Sequence, residues 1–267
     1  MPTAGKFPVL LAATGNAVYA VRYANDEVGA EVCFQAGAIV GLAAGRTLDV
    51  AALDDGTCCV LRGSRPGPVD TGIDEPIESL LLLGEDPCEM LIGTEGAHLF
   101  RLVGRQTQRV AAFDRLECRK QWHTPWGGPP AVRSMAAAAE GWVYADIHVG
   151  SVLRSGDRGG TWQPVTPELH EDVHQVATTA AEPYRVVANT AAGPFVSDDR
   201  GTSWRHRAAD VGGRYGLAIS IHPSEPDRLL CSVSDGPHGE DVRGQLYVSA
   251  DAGAHWTLAG GEFPQST

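Results

Sequence analysis

Asp172-Val-His174 sets a carboxylate and an imidazole two positions apart. If this stretch is a strand, the period of two puts both side chains on one side. A carboxylate there tunes the imidazole or completes a metal site. A second imidazole, His148, lies upstream and can share a ligand with His174. A zinc or iron ion held by such a pair wants a third ligand, which His123 or His238 can supply. Arg133 and Arg214 offer cationic clamps for an anion, and Tyr215 and Glu78 add proton-transfer groups. The run Trp126-Gly-Gly-Pro-Pro130 leads into Arg133-Ser134. Its glycines permit unusual backbone angles, its prolines stiffen the exit, and Trp126 offers a stacking face. The same run also serves as a plain rigid corner. The expected catalytic set is therefore Arg133, His148, Asp172, His174 and Tyr215, with Trp126, Arg214, Glu78 and His123 binding substrate. A divalent metal is compatible with this set, and no other cofactor is indicated. The competing reading is that these polar groups simply face water. No Gly-rich phosphate loop, GxSxG elbow or HExxH pair is present in the sequence.

The elements that must position these residues show in internal repetition. Ser155–Trp162, Ser197–Trp204 and Ser249–Trp256 share the pattern S-x-D-x-G-x-x-W. Asp157, Asp199 and Asp251 can each accept hydrogen bonds from backbone N–H groups just ahead. The glycine supplies a conformation other residues avoid, and the tryptophan opens the next strand with enough area to pack between sheets. Such a turn needs no ligand, so these three aspartates are read as structural. Strand-like segments flank each copy, and two more lie upstream: Trp142–Ala145, Arg185–Ala188 and Leu229–Ser232, preceded by Val132–Ala138, Val173–Thr178 and Leu217–Ile221. That makes four short strands per repeat, with repeats about 43 residues apart.

The three copies resemble the Asp-boxes (BNR repeats) of sialidases, sortilin-type receptors and a photosystem assembly factor family. The resemblance implies a β-propeller, and the four-strand rhythm agrees. The expected fold is all-β, six recognisable blades within one domain over residues 1–267, six- or seven-bladed in total. The first half keeps the rhythm without boxes: Val9–Ala13, Leu48–Leu53 and Met90–Gly93 stand as second strands, and Asp26 with Gly29 as a decayed box. The first repeat starts at its second strand, so residues 1–8 or 259–267 must close the ring irregularly, or a blade is missing. In a four-stranded meander the boxes occupy one face. The longest insertions, Asp114–Pro130 and Asp235–Gln245, fall on the other, at the funnel mouth. Aligned by pattern, Glu78, Arg133 and His174 take matching places near inner-strand starts, and Tyr215 matches Asp172.

Composition narrows the classes. Gly 32 and Pro 17 in 267 residues mark a turn-rich globular chain, and 33 acids against 21 bases give a formal charge of −12. A basic-patch nucleic-acid binder is disfavoured, as is an anionic membrane surface. No apolar run reaches the ~18 residues of a membrane span. Phe7–Ala13 is read as a strand, not a secretory segment. Cys33, Cys58, Cys59, Cys88, Cys118 and Cys231 show no CxxC spacing and are expected as buried free thiols in a cytoplasmic protein.

Two functions follow. One is a hydrolase or lyase acting on a small polar or carbohydrate substrate in the funnel. The resemblance points toward sialidase-type glycoside hydrolases, but the N-terminal F/Y-R-I-P motif is missing. The other is a non-catalytic propeller that grips a protein or peptide on the face opposite the boxes, with Trp122 and Trp126 as anchors.

Overall fold

The computed structural model describes residues 10–24, 27–165, 167–213, 215–238 and 242–260. Almost all regular structure is antiparallel strand. The first sheet holds β1 (Leu10–Thr14), β2 (Ala17–Ala24) and β3 (Glu27–Gln35). The second holds β4 (Ile39–Ala44), β5 (Asp49–Leu53), β6 (Thr57–Arg62) and β7 (Gly67–Asp70). The third holds β8 (Ile77–Glu85), β9 (Cys88–Thr94), β10 (Leu99–Val103) and β11 (Gln106–Arg109). The fourth comprises β12 (Val132–Ala137), β13 (Val143–Ile147), β14 (Ser151–Ser155) and β15 (Gln163–Pro164). The fifth comprises β16 (Val173–Thr178), β17 (Val186–Thr190), β18 (Gly193–Ser197) and β19 (Arg205–His206). The sixth comprises β20 (Tyr215–Ile221), β21 (Leu229–Ser234), β22 (Gln245–Ser249) and β23 (Thr257–Leu258). Each sheet is a simple meander, the propeller-blade pattern, and the expected all-β propeller fold is the one observed. Among the described residues the first sheet has three strands. Residues 1–9 and 261–267, which include most of both segments expected to close the ring, lie outside the described residues, as does Asp26.

The chain divides into two compact units, residues 1–92 with 101–108, and residues 93–100 with 109–267. In the second unit the middle strands of the sheets are mostly apolar, with a few buried polar side chains such as Asp146 and Asn189. β13, β17 and β18 are buried at every position, whereas the outer β15, β19 and β23 are exposed. Continuous burial is what strands covered on both faces require. Trp204 of the second box packs with Tyr144, Val152, Val186 and Phe195, and Trp256 of the third with Val187, Val196 and Leu229. The box tryptophans thus fill the space between neighbouring sheets, as their area predicts.

The three boxes are nearly superposable in chemistry. Asp199 Oδ1 accepts from the backbone N–H of Thr202 at 3.0 Å and of Ser203 at 2.8 Å, and from Ser197 Oγ at 2.8 Å. Asp157 does the same with Gly160, Thr161 and Ser155. In each box the serine hydroxyl accepts from the glycine N–H, at 2.8 to 2.9 Å. Arg158 with Gly159, Arg200 with Gly201, and Ala252 with Gly253 all hold positive φ, so each turn needs two successive left-handed residues. The structural reading of Asp157, Asp199 and Asp251 accounts for every one of these bonds.

The inserted segment before β12 contains elements the sequence pattern did not announce. A short helix α1 (Ala111–Asp114) and a 3-10 turn (Glu117–Gln121) bury Phe113 completely. Phe113 meets Trp162 edge-on at 5.2 Å and Trp122 at 5.8 Å, and Arg119 lies over Trp122 at 4.8 Å. Trp122 is therefore a packing residue, not a free anchor. The six cysteines are free thiols, but burial holds only for Cys58, Cys59 and Cys231, since Cys33 is exposed and Cys88 and Cys118 are half-buried. No helix among the described residues is long and apolar enough to cross a membrane.

Candidate functional site

The inner strands of the fourth, fifth and sixth sheets carry the site, and each is irregular at the same place. Pairing of β12 with β13 shifts between Val132 and Met135, that of β16 with β17 between Val173 and Gln175, and that of β20 with β21 between Gly216 and Ile219. A bulge of this kind frees one residue from the pleat and re-aims its side chain. The residue released in β12 lies in the Arg133–Ser134 step, and in β16 it is His174. Val132 pairs with Ile147, and Ile147 with Ser151, so the Arg133 end of the sheet is also the His148 end. The box turn joins β14 and β15 at the other end.

Three side chains converge there. His174 Nε2 lies 3.1 Å from Asp172 Oδ1, and His148 Nε2 lies 3.6 Å from the same oxygen. The His174 side chain is 1% exposed, His148 15% and Asp172 19%. Asp172 and His174 do meet, but not as an alternating strand pair. Asp172 precedes β16 and His174 sits in the bulge, so the shared side comes from local distortion. His174 Nδ1 donates to the Gly216 carbonyl at the start of β20. Only glycine fits at 216, because a Cβ there would lie 1.9 Å from Asn189 Oδ1. Tyr215 packs its ring against His174 at 4.5 Å, and Trp126 covers His148 at 4.8 Å. His148 immediately precedes Val149, a buried β-branched residue held at φ 55. Such strain tends to mark functional positions.

The electrostatics are uneven. Burial, with the charges of Arg133 and His174, pushes the His148 imidazole down to about 4, against the pull of Asp172. Burial pulls Asp172 upward, but the His174 hydrogen bond and the neighbouring histidine charges prevail and leave it below the usual carboxylate range. Burial and the Asp172 charge raise the Tyr215 phenol. His148 is thus a neutral imidazole at pH 7, beside an ionised carboxylate.

A fourth group was not singled out from the sequence. Asp146 is completely buried and raised by that burial to about 7. It accepts from Ser134 Oγ and, at 3.3 Å, from the Ser134 N–H, and Ser134 Oγ in turn accepts from the Val176 N–H at 2.9 Å. The signal was available: Asp146-Ile-His148 repeats the D-x-H spacing of Asp172-Val-His174.

Not every expected residue joins. His123 is exposed, and its Nδ1 lies 3.1 Å from the Gln121 carbonyl, while His238 is exposed on its own loop. The third group beside the two histidines is Asp172, not either of these. Glu78 lies half-buried on β8 in the first unit. Arg214 lies outside the described residues. Trp126 is 63% exposed, on a turn where Gly127 has φ 83 and Thr124 Oγ1 donates to the Gly128 carbonyl. His222 accepts from the N–H of Ser224 and Glu225, a turn role as its place before Pro223 implies.

Comparison with known proteins places the fold. Residues 150–263, the part holding the three boxes, match the family model described as Sortilin, neurotensin receptor 3 (Sortilin-Vps10), which is of the Asp-box propeller type. No curated protein matches the sequence. Among solved structures, an ancestral GH74 enzyme superposes with a TM-score of 0.64 at 15% identity, over 85% of this chain and 32% of its own. This chain therefore spans about a third of that enzyme's length. YCF48 bound to D1 peptide gives 0.59 at 11% identity, over 96% of this chain and 84% of its own. A nidogen/laminin complex gives 0.61 at 12% identity, over 93% and 91%. At these identities the likeness is one of fold.

Proposed function

We propose that the protein is a hydrolase or lyase acting on a small polar or carbohydrate substrate at the Arg133–His148–Asp172–His174–Tyr215 cluster. The observation that carries this reading is the His148 imidazole: its Nε2 is buried without a hydrogen-bond partner, 3.6 Å from an ionised carboxylate. A merely structural histidine has its ring nitrogens satisfied, and a perturbed, underused base beside a second titratable pair is a reactive-site signature. Arg133 stands within electrostatic reach of His148 and Tyr215, where it would balance an anionic group on the substrate. Tyr215 would donate its phenolic proton, and Trp126 would stack on a sugar or other flat face. The GH74 likeness is compatible with carbohydrate chemistry.

A second reading rests on Trp126, which is 63% exposed beside the cluster, and on fold likeness to YCF48 bound to a peptide and to a nidogen/laminin complex. In that reading the same face grips a peptide and no bond is broken.

The test is turnover by the purified protein on a panel of glycosides, uronides, esters and lactones. Activity is expected with at least one class, reduced roughly 100-fold or more in Asp172→Asn and Tyr215→Phe at unchanged circular dichroism. No turnover on the whole panel, together with peptide capture that Trp126→Ala abolishes, would replace it with the second reading.

A further inference from the structure

We propose that His148 Nε2, Asp172 Oδ1 and His174 Nε2 form a binding site for one divalent transition-metal ion. The inference deepens the enzymatic reading of the same cluster and rests on it only for what the ion would do, not for whether it binds. The three donor atoms lie within 4.8 Å of one another, with separations of 3.1 and 3.6 Å to the shared carboxylate oxygen. Donors on one ion at bond lengths of about 2.0–2.2 Å stand roughly 3–3.5 Å apart, so small side-chain adjustments close the site.

The hydrogen bonding argues for the ion independently of these distances. The Gly216 carbonyl can only accept, so His174 Nδ1 carries the proton of that bond. In the neutral ring Nε2 then bears a lone pair, and it faces the lone pairs of Asp172 Oδ1 at 3.1 Å. Two acceptors at that distance are bridged either by a second proton on the ring or by a metal ion. A second proton on His174 would satisfy this pair but would leave His148 Nε2 buried and unpartnered. One metal ion satisfies all three atoms.

The surroundings fit the role. The His174 carbonyl contact is the usual outer partner that fixes a ligating ring and its tautomer. His174 sits in the β16 bulge with its ring bonded to the Gly216 carbonyl, and the His148 ring is half-buried under Trp126 beside a strained valine. Two imidazoles and a carboxylate suit Zn²⁺, Fe²⁺, Co²⁺, Ni²⁺ or Mn²⁺ better than Ca²⁺ or Mg²⁺, which prefer all-oxygen shells. Three protein ligands leave positions open for water and a substrate oxygen. The substrate class narrows accordingly, to molecules that present a carbonyl, carboxylate or hydroxyl oxygen to the ion.

The test uses the full chain, stripped with a chelator and titrated with Co²⁺ and Zn²⁺. Calorimetry should give one ion per chain, and Co²⁺ should develop visible d–d absorption. His148→Ala and Asp172→Asn should each weaken binding by roughly 100-fold or more, whereas His222→Ala, on a distant turn, should leave it unchanged. Should a variant fail to fold, imidazole NMR of the wild-type protein still decides: Zn²⁺ must move the Nε2 signals of His148 and His174 and leave His222 in place. No binding to the wild-type protein, or binding that survives loss of both His148 and His174, would overturn the site. Turnover by a protein that binds neither Co²⁺ nor Zn²⁺ would leave the enzymatic reading standing and this one refuted. Metal binding without turnover would do the reverse.

Discussion

At the scale of single residues, the third box differs from its two sisters in a way that can be measured. Where Thr161 and Ser203 offer hydroxyls, this turn has His255, whose Nδ1 lies 2.7 Å from Asp251 Oδ2. The Asp251 contact raises the His255 imidazole above its usual 6.5, and the His255 and Ser249 hydrogen bonds hold Asp251 down at about 2. The signs are opposite. The His255 contribution to the turn is complete below about 6.5 and fades as pH rises through the raised value. The Asp251 contribution is complete above about 4 and fades as pH falls toward 2. An NMR titration should therefore place the His255 midpoint above 6.5, and Asp251→Asn should return it to the ordinary value. A wild-type midpoint at or below 6.5 would contradict this pairing. The boxes themselves were legible in the sequence because the bonds that Asp157, Asp199 and Asp251 accept within them span four residues or fewer. For Asp146 only the D-x-H spacing to His148 was legible, because its partner Ser134 lies 12 residues away and its burial is set by packing.

At the scale of elements, side chains stitch one inner strand to the next. Asn189 on β17 is fully buried and donates from Nδ2 to the carbonyls of Ala218, at 2.9 Å, and Ser232, at 3.0 Å. Gln175 Oε1 accepts from the Ile219 N–H at 2.7 Å. These bonds satisfy backbone groups that the β20 bulge removes from its own ladder. Asn189→Ala would remove both bonds and orphan the buried Ser232 carbonyl, a loss of about 1–3 kcal/mol. Thermal unfolding should show a Tm lower by several degrees. An unchanged Tm would mean that the bulge needs no such cap. Strand order and the approximate span of each element could be read from apolar patterning, since middle strands such as β5, β13 and β17 are continuous buried runs. The bulges could not, because they leave hydrophobic periodicity almost intact while shifting the pairing by one residue. The same limit explains Trp122, which looks like an inserted surface aromatic until α1 folds Phe113 beneath it.

At the scale of the whole molecule, the thiols offer a global check on burial. Burial raises Cys58 and Cys231 to about 12 and raises Cys59 and Cys88 as well, whereas Cys33 is exposed. A thiolate-specific reagent should label one cysteine rapidly in the native protein, and reach Cys58, Cys59 and Cys231 only on unfolding. Rapid native labelling of Cys58 or Cys231 would contradict the packing of the second or the sixth sheet. The number of sheets was legible from the spacing of the repeats. The division into two compact units was not, because nothing in the local pattern changes near residue 92. The inner-strand irregularities return at this scale, since β4 also shifts register, between Ile39 and Gly41. Each such slot takes a residue out of the ladder of its own sheet, so its side chain is placed by partners on the neighbouring strand, as His174 is by the Gly216 carbonyl. Whatever chemistry such a slot carries is therefore set jointly by two neighbouring blades, and a change in one must be met by the other.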